Sequence, residues 1–197
     1  MYYDKELIGS KLRRWEKYLR GFRLPEWEEI PDLGLYMDQI LMLLTGYLDY
    51  LPPEIKEEKV ITAATVNNYV RMKVMPEPKK KKYYRIHIAY LIMICTLKQT
   101  LNLSTLQKLI PLELSETEIK EIYSSYAQRH RAASEYFIDQ VKTASAPILH
   151  NDELTDATSV TSDLIASSAI IGGFARLLSE KLILLEGQVV SSGNREE

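Results

Sequence analysis

Cysteine is almost missing from this chain. Among 197 residues only Cys95 carries a thiol, so no disulfide can close within the chain, and a reducing cytoplasm is the expected compartment. Histidine is nearly as scarce, and His87, His130 and His150 are too scattered along the sequence to give a metal-ligand spacing. A membrane span needs a long apolar run. The most apolar one, Ile86 to Leu97, is about half the roughly 20 residues required and contains His87, so no membrane partner is expected. The first residues offer neither an apolar signal core nor a small-residue cleavage site. Catalytic arrangements are lacking too. Asp38 and Gln39 have no accompanying His or nucleophile, and Gly172-Gly173 lacks the spacing and the Lys-Ser/Thr of a phosphate loop. Neither catalysis nor a cofactor is expected. There is no internal repeat.

What is present is material for a core, at 46% hydrophobic and 26% charged residues. Its spacing is helical almost throughout, which makes the fold class all-α. Ile8, Leu12, Trp15 and Leu19 form a seam over Asp4 to Arg20, to be packed on the body or on a second subunit. A connector from Leu24 to Gly34, with Pro25 and Pro31, carries Trp27. Met37, Ile40, Leu41, Leu44 and Leu48 then mark a helix over Leu35 to Tyr50, followed by Pro52-Pro53 and a charged linker, Glu54 to Lys59. A helix over about Arg85 to Thr100 is apolar on nearly every side and should be the central strut. Ser104 is the expected cap of a short helix to Ile110. Ser115 and Glu118 fit a capping box. The helix they open carries Ile119, Tyr123, Tyr126, His130, Ala133, Phe137 and Val141 on one stripe, with Pro147 as its bound. Its aromatic residues, Tyr136 included, are read as packing rather than as a ligand pocket. A last helix runs from about Thr158 to Glu186, with Gly172-Gly173 available for a kink or a close crossing, and the tail from Gly187 reads as frayed. The only strand-like stretch is a two-stranded loop around Met75 to Tyr84.

The net charge of -2 conceals a segregation. Val70 to Lys98 holds eight Lys/Arg against one acid, Glu77, a balance of +7. Residues 1–69 come to -3 and residues 99–197 to -6. The positive stretch follows a short helix capped by Thr62. Val66, Tyr69, Val70 and Lys73 are expected to point inward and Ala64, Asn67, Asn68 and Arg71 outward, with Pro76 and Pro78 ending the helix. Lys79 to Lys82 come next. Asn, Asn and Arg on one exposed face beside a lysine loop suit a major groove with phosphate contacts beside it.

A capped Thr62 helix through Asn68-Tyr69-Val70, a Val74-Met75-Pro76 exit, a basic loop and Tyr84-Arg85 opening an apolar helix is similar to the MerR-type winged helix-turn-helix. A second pattern is carried by Leu35-Tyr36-Met37-Asp38-Gln39, Ile61-Thr62, Asn67-Asn68-Tyr69-Val70 and Pro78-Lys79. It continues through Lys81-Lys82-Tyr83, His87-Ile88-Ala89-Tyr90-Leu91 and Leu97-Lys98-Gln99. These residues resemble the bacterial family known as domain of unknown function 1836, over about Leu24 to Ile110. The MerR resemblance implies a recognition helix, a backbone-binding wing and DNA contacts from Thr65, Asn67, Asn68, Tyr69, Arg71, Lys79, Lys80, Lys81, Lys82, Tyr84 and Arg85. The expected organisation is an N-terminal helix (1–23), the winged domain (24–110) and a C-terminal helical extension (111–190). The extension would serve for dimerisation or an effector, with the Leu164, Ile171, Leu178 and Leu185 seam favoured for a homodimer. The expected function is a cytoplasmic DNA-binding regulator of transcription. The alternative is a protein-interaction module that keeps the scaffold and meets an acidic partner through its lysines.

Overall fold

The structure, a computed structural model, describes residues 2–49, 61–151 and 156–188. Among them the elements are helical and no strand is formed beyond two isolated β-bridges. The chain is therefore all-α. The linker expected at Glu54 to Lys59 and the end of the tail lie outside the described residues.

The centre is the apolar helix α4, Arg85–Leu97, in which every side chain from His87 to Cys95 is buried. A helix apolar on all sides needs neighbours on all sides. It has α2 (Met37–Tyr47) on one side and α6 (Glu116–His150) on another, while α3 (Ala63–Arg71) packs on α2. Ile40 and Leu44 of α2, Val66 and Tyr69 of α3, and Ile119 and Tyr123 of α6 close the core. Each large apolar side chain so buried is worth about 1.5–3 kcal/mol. Trp27, in a 3-10 turn (Trp27–Glu29), fills the space beside Tyr123, at 6.1 Å between ring centroids. The Tyr123 hydroxyl donates to the Pro25 carbonyl at 2.8 Å, and that of Tyr90 donates to the Pro111 carbonyl. The core thus reaches beyond Ile110 into the first half of α6, as far as Ala127.

The helix α1 (Lys5–Gly21) is capped by Asp4, which accepts from the Leu7 amide at 2.8 Å. It packs along the second half of α6. Its seam is spent there: Trp15 meets Phe137 edge to face at 5.6 Å, and Leu12 and Trp15 sit beside Ile138 and Val141. Glu16 joins the two helices through Lys142 at 3.4 Å. The capping box at α6 is formed, with Ser115 Oγ accepting from the Glu118 amide and the Glu118 carboxylate accepting from the Ser115 amide.

Several boundaries differ from the sequence reading. Pro147 does not bound α6, which continues to His150 so that Ile148 is buried. Asn102, not Ser104, caps α5 (Leu103–Leu109), its side chain accepting from the Thr105 amide at 2.9 Å. The α6 stripe is not buried along its length: Ile119 and Tyr123 are, whereas Ala133 and Phe137 are exposed. The last helix, α7 (Ala157–Leu184), runs unbroken through Gly172-Gly173.

Candidate nucleic-acid interface

Helix α3 begins at Thr62, whose hydroxyl accepts from the Thr65 amide at 3.2 Å and also meets the Thr65 hydroxyl at 2.8 Å. Val66 and Tyr69 are buried, Val70 is half-buried against the core, and Ala64, Asn67 and Arg71 are exposed. Lys73 does not face inward as its spacing suggested. The helix stops at Arg71, five residues before Pro76, so the prolines do not end it either. A Schellman turn does: the Lys73 amide donates to the Val70 carbonyl and the Val74 amide to the Tyr69 carbonyl, both at 3.0 Å. That turn holds Lys73 at φ 52°, where glycine is the usual residue.

The exposed face is linked internally. The Arg71 guanidinium donates to Asn68 Oδ1 at 2.7 Å, and Asn68 Nδ2 lies 3.4 Å from the Met72 sulfur. Asn68 is half-buried and also lines an open groove of about 540 Å³ between α3 and the start of α5. Tyr69 points inward as its spacing predicts, a core residue rather than the DNA contact that the MerR resemblance implies. Its ring has the Lys98 ammonium 5.9 Å from the centroid, and burial raises its hydroxyl pKa well above the usual tyrosine range.

The lysine run forms the tip of a hairpin. Lys79 and Lys82 exchange both backbone hydrogen bonds at 3.0 Å. Between them Lys80 and Lys81 stand at φ 51° and 62°, the two left-handed positions of a type I′ turn. Asn-Gly is the low-energy choice there, and an L side chain costs about 1 kcal/mol or more at each position. One step down, Leu35 and Tyr83 exchange backbone hydrogen bonds at 2.9 and 2.8 Å, tying the hairpin to the strand-like approach to α2. Gly34 permits that approach, because a Cβ there would stand 2.7 Å from Lys82 Cδ and 3.1 Å from the Tyr84 hydroxyl. The Lys82 ammonium sits 5.4 Å from the centroid of the exposed Tyr36 ring.

His87 holds the base of this hairpin, a role that the sequence reading missed. Its Nδ1 accepts from the Tyr84 amide at 3.0 Å, leaving Nε2 to donate to the Glu77 carbonyl at 3.0 Å. Burial, with help from the nearby Lys79 charge, keeps the imidazole pKa below its ordinary value. The available signal is the spacing Tyr84-x-x-His87, with an acceptor at the third position of a helix. Arg85 also turns inward, donating from Nε to the Ile30 carbonyl at 2.7 Å with its guanidinium 5.7 Å from the Trp27 ring. Tyr84 is half-buried at the start of α4.

Asn67 and Arg71 on α3 and Lys79 to Lys81 at the hairpin tip are exposed and Asn68 and Lys82 half-buried, while Tyr69 and Arg85 belong to packing. Among the described residues no group of three or more His, Cys, Asp or Glu is placed to hold a metal ion. Cys95 is buried, and burial pushes its thiol up to about 11. No curated protein and no solved structure matches the chain. A family match covers residues 25–127, just over half of the chain, from the Trp27 turn to the last core residue of α6. The chain belongs to the family described as domain of unknown function DUF1836.

Proposed function

We propose that this chain is a DNA-binding transcriptional regulator built on a MerR-like winged helix-turn-helix. In this reading α2 and α3 are the helix pair, α3 reads the major groove, and the lysine hairpin is the wing on the phosphate backbone. The observation that carries it is the conformation of Lys80 and Lys81. Both occupy backbone positions where glycine or asparagine would be less strained, and both are exposed at the tip of the hairpin. Strain retained in a charged turn points to use of the charge. The local excess of +7 across Val70 to Lys98, eight bases against one acid, and the Leu35–Tyr83 bridge that sets the hairpin beside α2 support the same reading. Asn67 and Arg71 carry amide and guanidinium groups suited to adenine and guanine edges.

Titration of the full chain against random duplex DNA at several salt concentrations tests this. Each phosphate neutralised contributes about 0.9 to the slope of log affinity against log salt. Replacing Lys79, Lys80, Lys81 and Lys82 with Ala should weaken binding to every duplex and flatten that slope by about 2 to 4. An unchanged slope rejects the wing, and no binding at low salt leaves the hairpin to an acidic protein partner.

A further inference from the structure

Helix α7 is anchored at its two ends and uncovered between them. At the start, Ala157 and Thr161 are buried and the Tyr3 amide donates to Thr158 Oγ1 at 3.0 Å. Toward the end, Ile183 packs on the core. From Ile165 to Leu178 every residue is exposed, and a Cβ at Gly172 or Gly173 would meet nothing within 4 Å. A helix so apolar and so bare is incomplete by itself.

On the side turned from the body, Asp163, Ser167, Ile170, Phe174, Leu177, Lys181 and Leu184 alternate at spacings of four and three. All seven are exposed, Ile170, Phe174, Leu177 and Leu184 each by more than half. The Leu164, Ile171, Leu178 and Leu185 row flanks this seam rather than forming it, and Leu164 is partly covered. The seam is symmetric about Gly172. Asp163 and Lys181 stand equally far on either side, as do Ser167 and Leu177, and Ile170 and Phe174.

We infer that α7 pairs antiparallel with α7 of a second copy, about a two-fold axis beside Gly172. Each Asp163 then faces Lys181 of the other chain, and the Ile170 and Phe174 layers close the centre. This inference goes beyond the DNA reading and does not depend on it. Antiparallel pairing places a-type positions opposite d-type ones, as this spacing requires, and a parallel pair would set Asp163 against its own copy. A 28-residue helix is about 42 Å long, enough for an interface on the order of 1,600 Å². The helix is also long and apolar enough to cross a membrane by length and composition. Asp163, Arg176, Glu180 and Lys181 within it, and its attachment to the body at both ends, favour the second copy.

Light scattering of the full chain at tens of micromolar reads the outcome. The wild type should be a dimer. Asp163→Lys and Lys181→Asp should each weaken it about tenfold, since like charges then face each other at both ends. Asp163→Lys/Lys181→Asp should restore it, and a mixture of the two single variants should form a heterodimer. Phe174→Glu should give a monomer of unchanged helicity by circular dichroism. A monomeric wild type overturns the inference, including one that sediments with phosphatidylcholine–phosphatidylglycerol vesicles. So does a double variant no better than the singles, or a dimer that survives Phe174→Glu.

Discussion

His87 Nε2 lies 3.0 Å from the Glu77 carbonyl oxygen while Nδ1 of the same ring takes the Tyr84 amide, so one neutral imidazole joins the lysine hairpin to the start of α4. A second proton would land on Nδ1 and set donor against donor. The pH dependence follows from the lowered pKa. Above about 6.5, the ordinary value, the ring is neutral in both states and the full stability is present. As pH falls through 6.5 the unfolded chain binds protons first, and stability declines until pH passes below the folded value. His130, half-buried beside Phe22 and Tyr126, is shifted the same way by desolvation and adds to the effect. Melting temperatures from pH 7.5 to 5 should fall in the wild type, and less steeply in His87→Gln and in His130→Gln. A flat wild-type profile would contradict this.

Lys80 and Lys81 give a way to separate strain from charge. Glycine relieves the left-handed backbone, so Lys80→Gly and Lys81→Gly should each stabilise the fold by about 0.5–1 kcal/mol in urea denaturation. Alanine at the same positions keeps the strain and should change little. If the proposed wing is correct, all four variants lose DNA affinity equally, because each removes one ammonium.

The Asn68–Arg71 hydrogen bond makes their contributions inseparable. Asn68→Ala also releases the guanidinium that Asn68 positions, so the two single losses should not add. A double-mutant cycle on DNA affinity should return a coupling of about 0.5–2 kcal/mol, with Asn67→Ala additive to either. Within the proposed reading, loss of Asn67 relaxes preference at one base position by about 1–3 kcal/mol and spares affinity for random duplex. A uniform loss over all sequences would make these backbone contacts only.

Tyr123 tests the core independently of any ligand. Its hydroxyl is buried and satisfied only through the Pro25 carbonyl. Tyr123→Phe strands that acceptor beneath Trp27 and should cost about 1–3 kcal/mol in equilibrium unfolding, with no loss of helicity. A cost near zero would mean that water reaches Pro25.

Periodicity carried the helices in the sequence because burial here follows helix faces. The central strut, the Thr62 cap and the Ser115 capping box are local features, and each is found at the residues that announced it. The misreadings share one cause, a local rule outweighed by packing. Pro147 lacks a donor, yet burial of Ile148 carries α6 past it. The MerR resemblance makes Tyr69 and Arg85 contact residues, but the core beside Cys95 and the Trp27 turn claims them, as the helical spacing of Tyr69 predicts. The two-stranded loop around Met75 to Tyr84 is legible, but the left-handed turn at its tip is not, because lysine carries no preference for positive φ. His87 escaped notice because its partner, Glu77, contributes only a backbone carbonyl, which any residue supplies.

The length of α6 has a mechanical consequence. Its first half is held in the core by Ile119, Tyr123 and Ala127, and its second half carries α1 and the root of α7. A continuous helix of 35 residues is about 52 Å long and resists bending, so it behaves as a lever with its fulcrum near Tyr123. A tilt of about 5° at that fulcrum displaces the far end by roughly 3 Å. Repacking too small to alter any single contact around Trp27 would thereby swing α1 and the base of α7 through a distance comparable to a side chain.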